Sequence, residues 1–526
     1  MAKNNKSRAL FQKLWRDVVF WKKRRARMQK DITAPTVVIS SSESSPSPAL
    51  PVPIAFTLSE ISTDFIVGSL TLAGCTVANF GGSGISYTCE ATPTTPNGTF
   101  TIDVAANVFH DASNNGNIAA TQFSFTSSAF DLADEFTDTV APGAVNGTTA
   151  TPTGQTRTAT DTNSKLSIGS GVADFATGGA AAGNPGLWYP GRARAAGKAL
   201  IARLAGTNTN YSVGWDSNAA GGVSQALNFF TTGVVRAFLY AIVPLTVGAN
   251  PASGATVYGL ILLRNTGAFF FIKEATAFPK WRLLYPDKNG ADATVYPSLG
   301  AQGITAVFTS GFIRIPQNLI IVSPLASDAF TRANGALGNT GGGGSEESGG
   351  SGLAWVNQVG TVEISGNKAM ATSLSVDRAI CTVPVGAESI LLEAAVTRGT
   401  TGVGLVMQYV DADNYVYVRR TAANVQLINR VGGVETTAIT GTPAEVNGSR
   451  LMSAITDITT EIVVRTYYNE ALVGGEQYLS NFGGHGTSGD KMGLIFFDLD
   501  SSIDNFVCWA RGVDSEYEEA FNKYAV

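Results

Sequence analysis

At 526 residues the chain exceeds one ordinary domain, and three or four are expected. Charged residues make up 15%, against about 25% in typical soluble proteins, glycine numbers 58, and long Leu/Glu/Lys-rich periodic segments are missing after residue 30. That excludes a mainly helical body and points to an all-β chain of short strands and Gly-rich turns. The net charge of −5 hides an asymmetry: residues 1–30 hold eleven Lys or Arg and one acid, so an anionic partner is expected at the N-terminus only. The acidic remainder suits no nucleic-acid partner.

Residues 1–30 read as a basic amphipathic anchor helix. Leu10, Phe11, Leu14, Trp15, Val18 and Trp21 recur at three- and four-residue steps, with Lys and Arg filling the other side. A short helix packed on its own protein is the plain alternative. The helix leads into a linker and not a core, which favours docking into a partner's groove or onto an anionic surface. The segment has neither the continuous apolar core nor the small-residue cleavage site of a signal peptide. No window of the chain reaches the roughly 18 apolar residues of a membrane span. Synthesis in the cytoplasm is expected, with any extracellular role reached by assembly into a particle.

Residues 31–128 carry short alternating runs at roughly ten-residue spacing: Val37 and Ile39; Ile54, Phe56 and Leu58; Tyr87 and Cys89; Phe100, Ile102 and Val104. The order of "DITAPTVVIS", "FTLSEISTDF", "LTLAGCTVANFGGSGISYT" and "TFTIDVAANVFHDASNNGN" resembles the bacterial immunoglobulin-like domains of surface adhesins and phage virion proteins. The resemblance implies a spacer or binding module and no enzyme.

Beyond residue 128 the chain begins the same way twice. "DEFTD" places Asp134 two residues before Phe136, and "DAFTR" places Asp328 two residues before Phe330. Apolar strands follow in matching order, closing with "SGFIRIP" and "SSIDNFVCW". This predicts a tandem repeat of one all-β unit, over 129–325 and 326–514, with 515–526 as a polar tail or one short helix. The second unit, through "DAFTRANGALG", "VEISGNKA", "YVDADNYVYVRR" and "IDNFVCW", resembles the concanavalin A-like (laminin-G-like) jelly rolls. The first lacks "RANG", "DADNY" and "IDNF" and fits that pattern more loosely.

An enzyme is not expected. His110 and His485 are far apart, and no G-x-S-x-G, H-E-x-x-H or phosphate-binding loop occurs. Hydrolytic sandwiches of this kind need paired carboxylates on one strand; "DLDSSID" is the nearest run and reads as a solvated loop. In "DADNYVYVRR", alternation puts Val416 and Val418 on one face and Tyr415, Tyr417 and Arg419 on the other. Those three are the candidate glycan-binding residues, the rings stacking on a sugar and the guanidinium bonding its hydroxyls; a cross-strand packing ladder is the bland reading. No cofactor is expected. Asp411 and Asp413, with Asn414, and Asp111 in "HDASNNGN" offer oxygens to Ca2+, although turns before strands require Asp and Asn anyway. Cys75 with Cys89 and Cys381 with Cys508 lack metal-ligand spacing; small buried side chains are the preferred reading, and disulfides are left open.

The resulting expectation is an all-β phage virion structural protein, a head decoration, fibre or tail-associated adhesin. Its N-terminal helix would bind other virion proteins, and an Ig-like sandwich and two jelly rolls would meet a host-surface glycan or receptor. Homo-oligomerisation is left open. A bacterial surface adhesin is the first alternative and a carbohydrate-active enzyme the second.

Overall fold

The computed structural model describes residues 3–27, 31–43, 45, 51–94, 98–127, 130–161, 163–178, 185–206, 210–218, 222–230, 234–238, 245–249, 254–275, 280–288, 290, 292–302, 305–320, 322–341, 352–387, 389–457, 461–480, 490–511, 521–522 and 524–525. His485 and most of the Gly-rich stretch 341–352 lie outside them. Two units divide at residue 130.

The first unit opens with helix α1 (Lys3–Arg27). Six strands follow: β1 (Val37–Ser41), β2 (Val52–Ser62), β3 (Thr71–Ala73), β4 (Cys75–Pro93), β5 (Thr99–Asp103) and β6 (Phe123–Thr126). They form two antiparallel sheets, β1-β2-β4 and β3-β5-β6. Strict alternation sets the inward face of β2: Val52, Ile54, Phe56 and Leu58 are buried while Pro53, Thr57 and Ser59 are exposed. Phe65 centres the core, its ring 5.5, 5.1 and 5.0 Å from those of Phe56, Tyr87 and Phe109. Cys75 and Cys89 are buried and unpaired, as are Cys381 and Cys508 in the second unit.

The second unit holds two β-sandwiches. The first begins with β7 (Phe130–Asp134), β8 (Thr158–Thr160), β9 (Leu166–Gly169), β10 (Val172–Gly178), β11 (Gly186–Trp188), β12 (Arg192–Ala193), β13 (Ala199–Gly206) and β14 (Asn210–Asn218). It continues with β15 (Gly222–Phe230), β16 (Val234–Phe238), β17 (Leu245–Ala249), β18 (Thr256–Leu263), β19 (Ala268–Glu274), β20 (Arg282–Pro286), β21 (Thr294–Gln302) and β22 (Thr305–Pro316). The second begins with β23 (Ala326–Asp328), β24 (Gly335–Ala336), β25 (Val356–Val359), β26 (Thr361–Ser365), β27 (Lys368–Ser373), β28 (Ala379–Pro384), β29 (Ile390–Thr397) and β30 (Gly402–Asp411). It ends with β31 (Asn414–Thr421), β32 (Val425–Val431), β33 (Val434–Gly441), β34 (Ser449–Asp457), β35 (Glu461–Tyr468), β36 (Ala471–Ser480), β37 (Lys491–Phe496) and β38 (Ser502–Ala510).

One topology is written twice. In the first sandwich one sheet runs β20-β19-β18-β13-β22-β10-β9, with β7 against β22; in the second the order is β36-β35-β34-β29-β38-β27-β26-β24, with β23 against β38. The facing sheets run β17-β16-β15-β14-β21-β11-β8 and β33-β32-β31-β30-β37-β28-β25. Position by position the orders coincide; β12 and β24 are the additions.

The repeated Asp-x-Phe opening has one structural job in both copies. Asp134 and Asp328 are fully buried, and each accepts the amide of the Phe two residues on, Phe136 or Phe330. Asp134 takes Arg157 through Nε (2.6 Å) and Nη2 (2.7 Å), plus the Tyr189 hydroxyl. Asp328 takes Arg332 through Nη1 (2.6 Å) and Nη2 (2.8 Å), plus the Trp355 indole N–H. The two Phe residues share a positive φ, 50° and 52°, in the left-handed region that side chains rarely adopt.

Within this unit the sandwiches meet along β20, β29 and β34. The buried Glu393 carboxylate accepts from Lys288 Nζ (2.8 Å) and from Arg450, whose Nη1 also lies 3.2 Å from Glu470. The Phe269 ring packs edge-on against Trp509 at 4.8 Å. The last described residues correct the expected polar tail. Phe521 is fully buried against Phe271 (4.9 Å) and Trp281 (5.6 Å), and the Tyr524 carbonyl accepts from Arg314 (2.9 Å). The end of the chain, beyond the second sandwich, therefore returns to the first.

Candidate functional site

The alternation along β31 is as expected, but its outer face is not open. Val416 and Val418 point into the main core of the second sandwich. Tyr415 and Tyr417 point the other way, into a satellite cluster with Ile380, Val406, Tyr409, Ile428, Ile495 and Phe497. Both tyrosines are 0% exposed, so neither offers a ring face for stacking on a sugar. What covers them is an ion-pair lattice. Arg378, just before β28, donates to the Tyr415 hydroxyl (2.8 Å) and to Glu435 on β33, and its Nε lies 2.7 Å from Asp377. Arg430 reaches Glu435 and Asp413 and lies over the Tyr415 ring. Burial raises both tyrosine hydroxyls above their usual range. It also pushes Glu435 up, but Arg378 and Arg430 outweigh it and hold that carboxyl below its usual range.

Arg419 is the predicted site residue that stays partly exposed. Its Nε donates to Gln426 (3.0 Å), and its guanidinium lies 5.2 Å from the Phe497 ring centroid. The polar surface of this face is therefore Arg419, Gln426, Arg430 and Glu435, over a floor of aromatic rings. Sequence reasoning missed Arg378 and Glu435. They reach the site from other strands of the same sheet, Glu435 from β33, two strands from β31, and Arg378 from the start of β28, three strands away on the other side.

The predicted Ca2+ residues separate. Asp411 accepts the Asp413 amide (2.8 Å) and the Asn414 side chain (2.9 Å), and Asp413 contacts Arg430, which is turn chemistry. Neither joins a group of three potential ligands among the described residues. Asp111 does: with Asp31 and Glu60 it places three carboxylate oxygens within 4.8 Å of one another. Asp31 and Glu60 lie in the separate "DITAP" and "LSEIS" runs, and only the fold brings them together. Desolvation and the neighbouring Asp31 and Asp111 push the Glu60 carboxyl up, whereas Asp111 is held down by the Asn115 and Ser113 amides. Such a group can ligate a hard divalent cation completed by water. His110 is absorbed by a 2.9 Å contact with Asp64.

On α1, Leu10, Phe11, Leu14, Trp15 and Val18 are 62, 74, 56, 65 and 47% exposed. The side chain of Trp21 lies outside the described residues. No helix among them is long and apolar enough to cross a membrane.

These features define an all-β chain of tandem sandwich modules carrying a basic helix. Residues 31–130 match the family model of the bacterial Ig-like domain. No curated protein matches the chain. Among solved structures, it is similar to the carbohydrate-binding module CBM66 from Bacillus subtilis, at 18% identity, covering 30% of this chain and 95% of that one, with a TM-score of 0.25. Domains LG4-5 of the mouse laminin alpha1 chain give 12% identity, 61% and 87% coverage and a TM-score of 0.17. A xylan beta-1,4-xylosidase from Bacillus halodurans C-125 gives 9%, 86% and 98%, and 0.22. Likenesses at these scores carry no argument about what the chain binds.

Proposed function

We propose that the chain is a non-catalytic adhesive structural protein of a phage particle, held by α1 and presenting its β-sandwiches to a host-surface glycan. The observation that carries the reading is the apolar stripe of α1, exposed on a segment with eleven Lys or Arg and one acid. A solvated stripe of this kind is stabilised by burial in a partner, and the basic flank adds attraction to an acidic protein surface. The glycan contact is assigned to the second sandwich, through Arg419, Gln426, Arg430 and Glu435, with Tyr415 and Tyr417 as the floor beneath them. Multivalent display on a particle compensates for weak single sites.

The test compares the full chain with a chain lacking residues 1–30, each supplied during particle assembly. Particles should retain the first and lose the second; equal incorporation overturns the attachment role. A glycan array with the full chain and with Arg419→Ala tests the second part, and equal binding by both removes Arg419 from the site. Release of reducing sugars would replace the non-catalytic reading. A bacterial surface adhesin is the second reading, favoured by the Ig-like match over residues 31–130.

A further inference from the structure

A buried guanidinium lies at the seam of the two sandwiches with no counter-charge of its own among the described residues. Arg511 follows β38 and is 3% exposed. Its amide donates to the Ser389 carbonyl (3.0 Å) and its carbonyl accepts from the Leu283 amide (3.3 Å). Its Nε donates to the Leu283 carbonyl (3.0 Å). Backbone and side chain are thus pinned together against β20. Its Nη1 is buried and has no hydrogen-bond partner among the described residues.

The neighbouring charges sharpen the imbalance. Arg282 lies 2.8 Å from Glu274, and Arg465 is paired with Glu476. Among the described residues, Arg282 and Arg465 each have a carboxylate partner and Arg511 has none. Arginine keeps its proton in proteins. Burial, and then repulsion from Arg465 and Arg282, pulls its pKa down to about 9, still charged at neutral pH. An unpaired buried charge costs several kcal/mol, and the Nη1 donor is unsatisfied as well.

We propose that Arg511, flanked by Arg465 and Arg282, holds a small inorganic anion between the two sandwiches. Chloride matches the chemistry. It is monatomic, it accepts from Nη1 without further donors, and it balances the third guanidinium. Sulfate or an organic carboxylate asks for more donors than the single unpartnered Nη1 offers. The bound anion stabilises the joined sandwiches and would not stabilise the unfolded chain.

The experiment is thermal unfolding of the full chain at neutral pH, exchanging sodium gluconate for sodium chloride at constant ionic strength. Wild type should gain about 1–2 °C in Tm as chloride rises to about ten times its dissociation constant. Arg511→Met should lose that gain. Crystals grown in bromide should show an anomalous peak within hydrogen-bond distance of Nη1. An equal chloride response in Arg511→Met would mark a general salt effect and overturn the proposal. So would a flat wild-type response, or bromide data with no peak at the seam. If the variant does not fold, the wild-type titration and the bromide peak decide.

Discussion

Asp134 and Asp328 are both fully buried and do the same work for arginines of different exposure, which makes them a matched pair for experiment. Arg157 is fully buried beside Asp134, whereas the Arg332 side chain keeps 30% of its exposure. Asp134→Ala leaves the buried Arg157 with Asp138 alone, at 2.6 and 2.9 Å, and orphans the Tyr189 hydroxyl and the Phe136 amide, and should cost about 3–5 kcal/mol. Asp328→Ala lets Arg332 turn to water and should cost less, about 1–3 kcal/mol. Urea unfolding of the two variants tests the order; equal losses would contradict it. The tyrosines give a second pair. The Tyr417 hydroxyl is buried beside Glu435 without a well-aligned hydrogen bond among the described residues, so Tyr417→Phe should change stability by less than about 1 kcal/mol. Tyr415→Phe removes an acceptor from Arg378 and should lose about 1 kcal/mol. The sequence made the two-residue period of β31 plain and so separated Val416 from Tyr417. It could not show what lies above the outer face, because Arg378 and Glu435 arrive through sheet pairing, which leaves no local trace.

At the scale of elements, the two ends of the chain read differently. The 3.6-residue period of α1 stands out because charged residues interrupt it on one side only. If its partner contact is apolar, Trp15→Ala should reduce particle incorporation at least tenfold and about 0.5 M salt should release little protein; the reverse pattern would mark an electrostatic contact. The final segment is opaque for the opposite reason. "DSEYEEAFNKYAV" is dominated by polar residues, and Phe521 and Tyr524 are too few to show a period. Yet Phe521 fills a site between Phe271 and Trp281. Phe521→Ala should cost about 3–5 kcal/mol, read as a lower unfolding midpoint of the second unit. The repeated topology was legible because it rests on strand order, and strand order follows from where apolar runs and turns fall. The first sandwich lacks the "RANG", "DADNY" and "IDNF" runs of the second, but its β-sheets keep the same order.

For the whole molecule, the junction of the sandwiches should respond to acid. Burial pushes the Glu393 carboxyl up, but Arg450, Lys288 and Arg264 outweigh it and hold it at about 2, below its ordinary 4.5. A carboxylate with a depressed folded pKa contributes its full stability above about pH 4.5 and loses it as pH falls toward 2. Tm should therefore decline through that window, and Glu393→Gln should lose about 3–5 kcal/mol at neutral pH while flattening the decline. A Glu393→Gln profile that parallels wild type would place the acid response elsewhere. The return of the chain end to the first sandwich also has a consequence in time. Phe271 leaves the ribosome about 250 residues ahead of Phe521. At ordinary elongation rates that is a wait of about 10–50 s, during which Phe271 and Trp281 lack their last packing partner. The first sandwich, although its own strands are finished early, completes its interior only when translation reaches residue 521, so a prematurely terminated product leaves an apolar surface for chaperones and proteases to find.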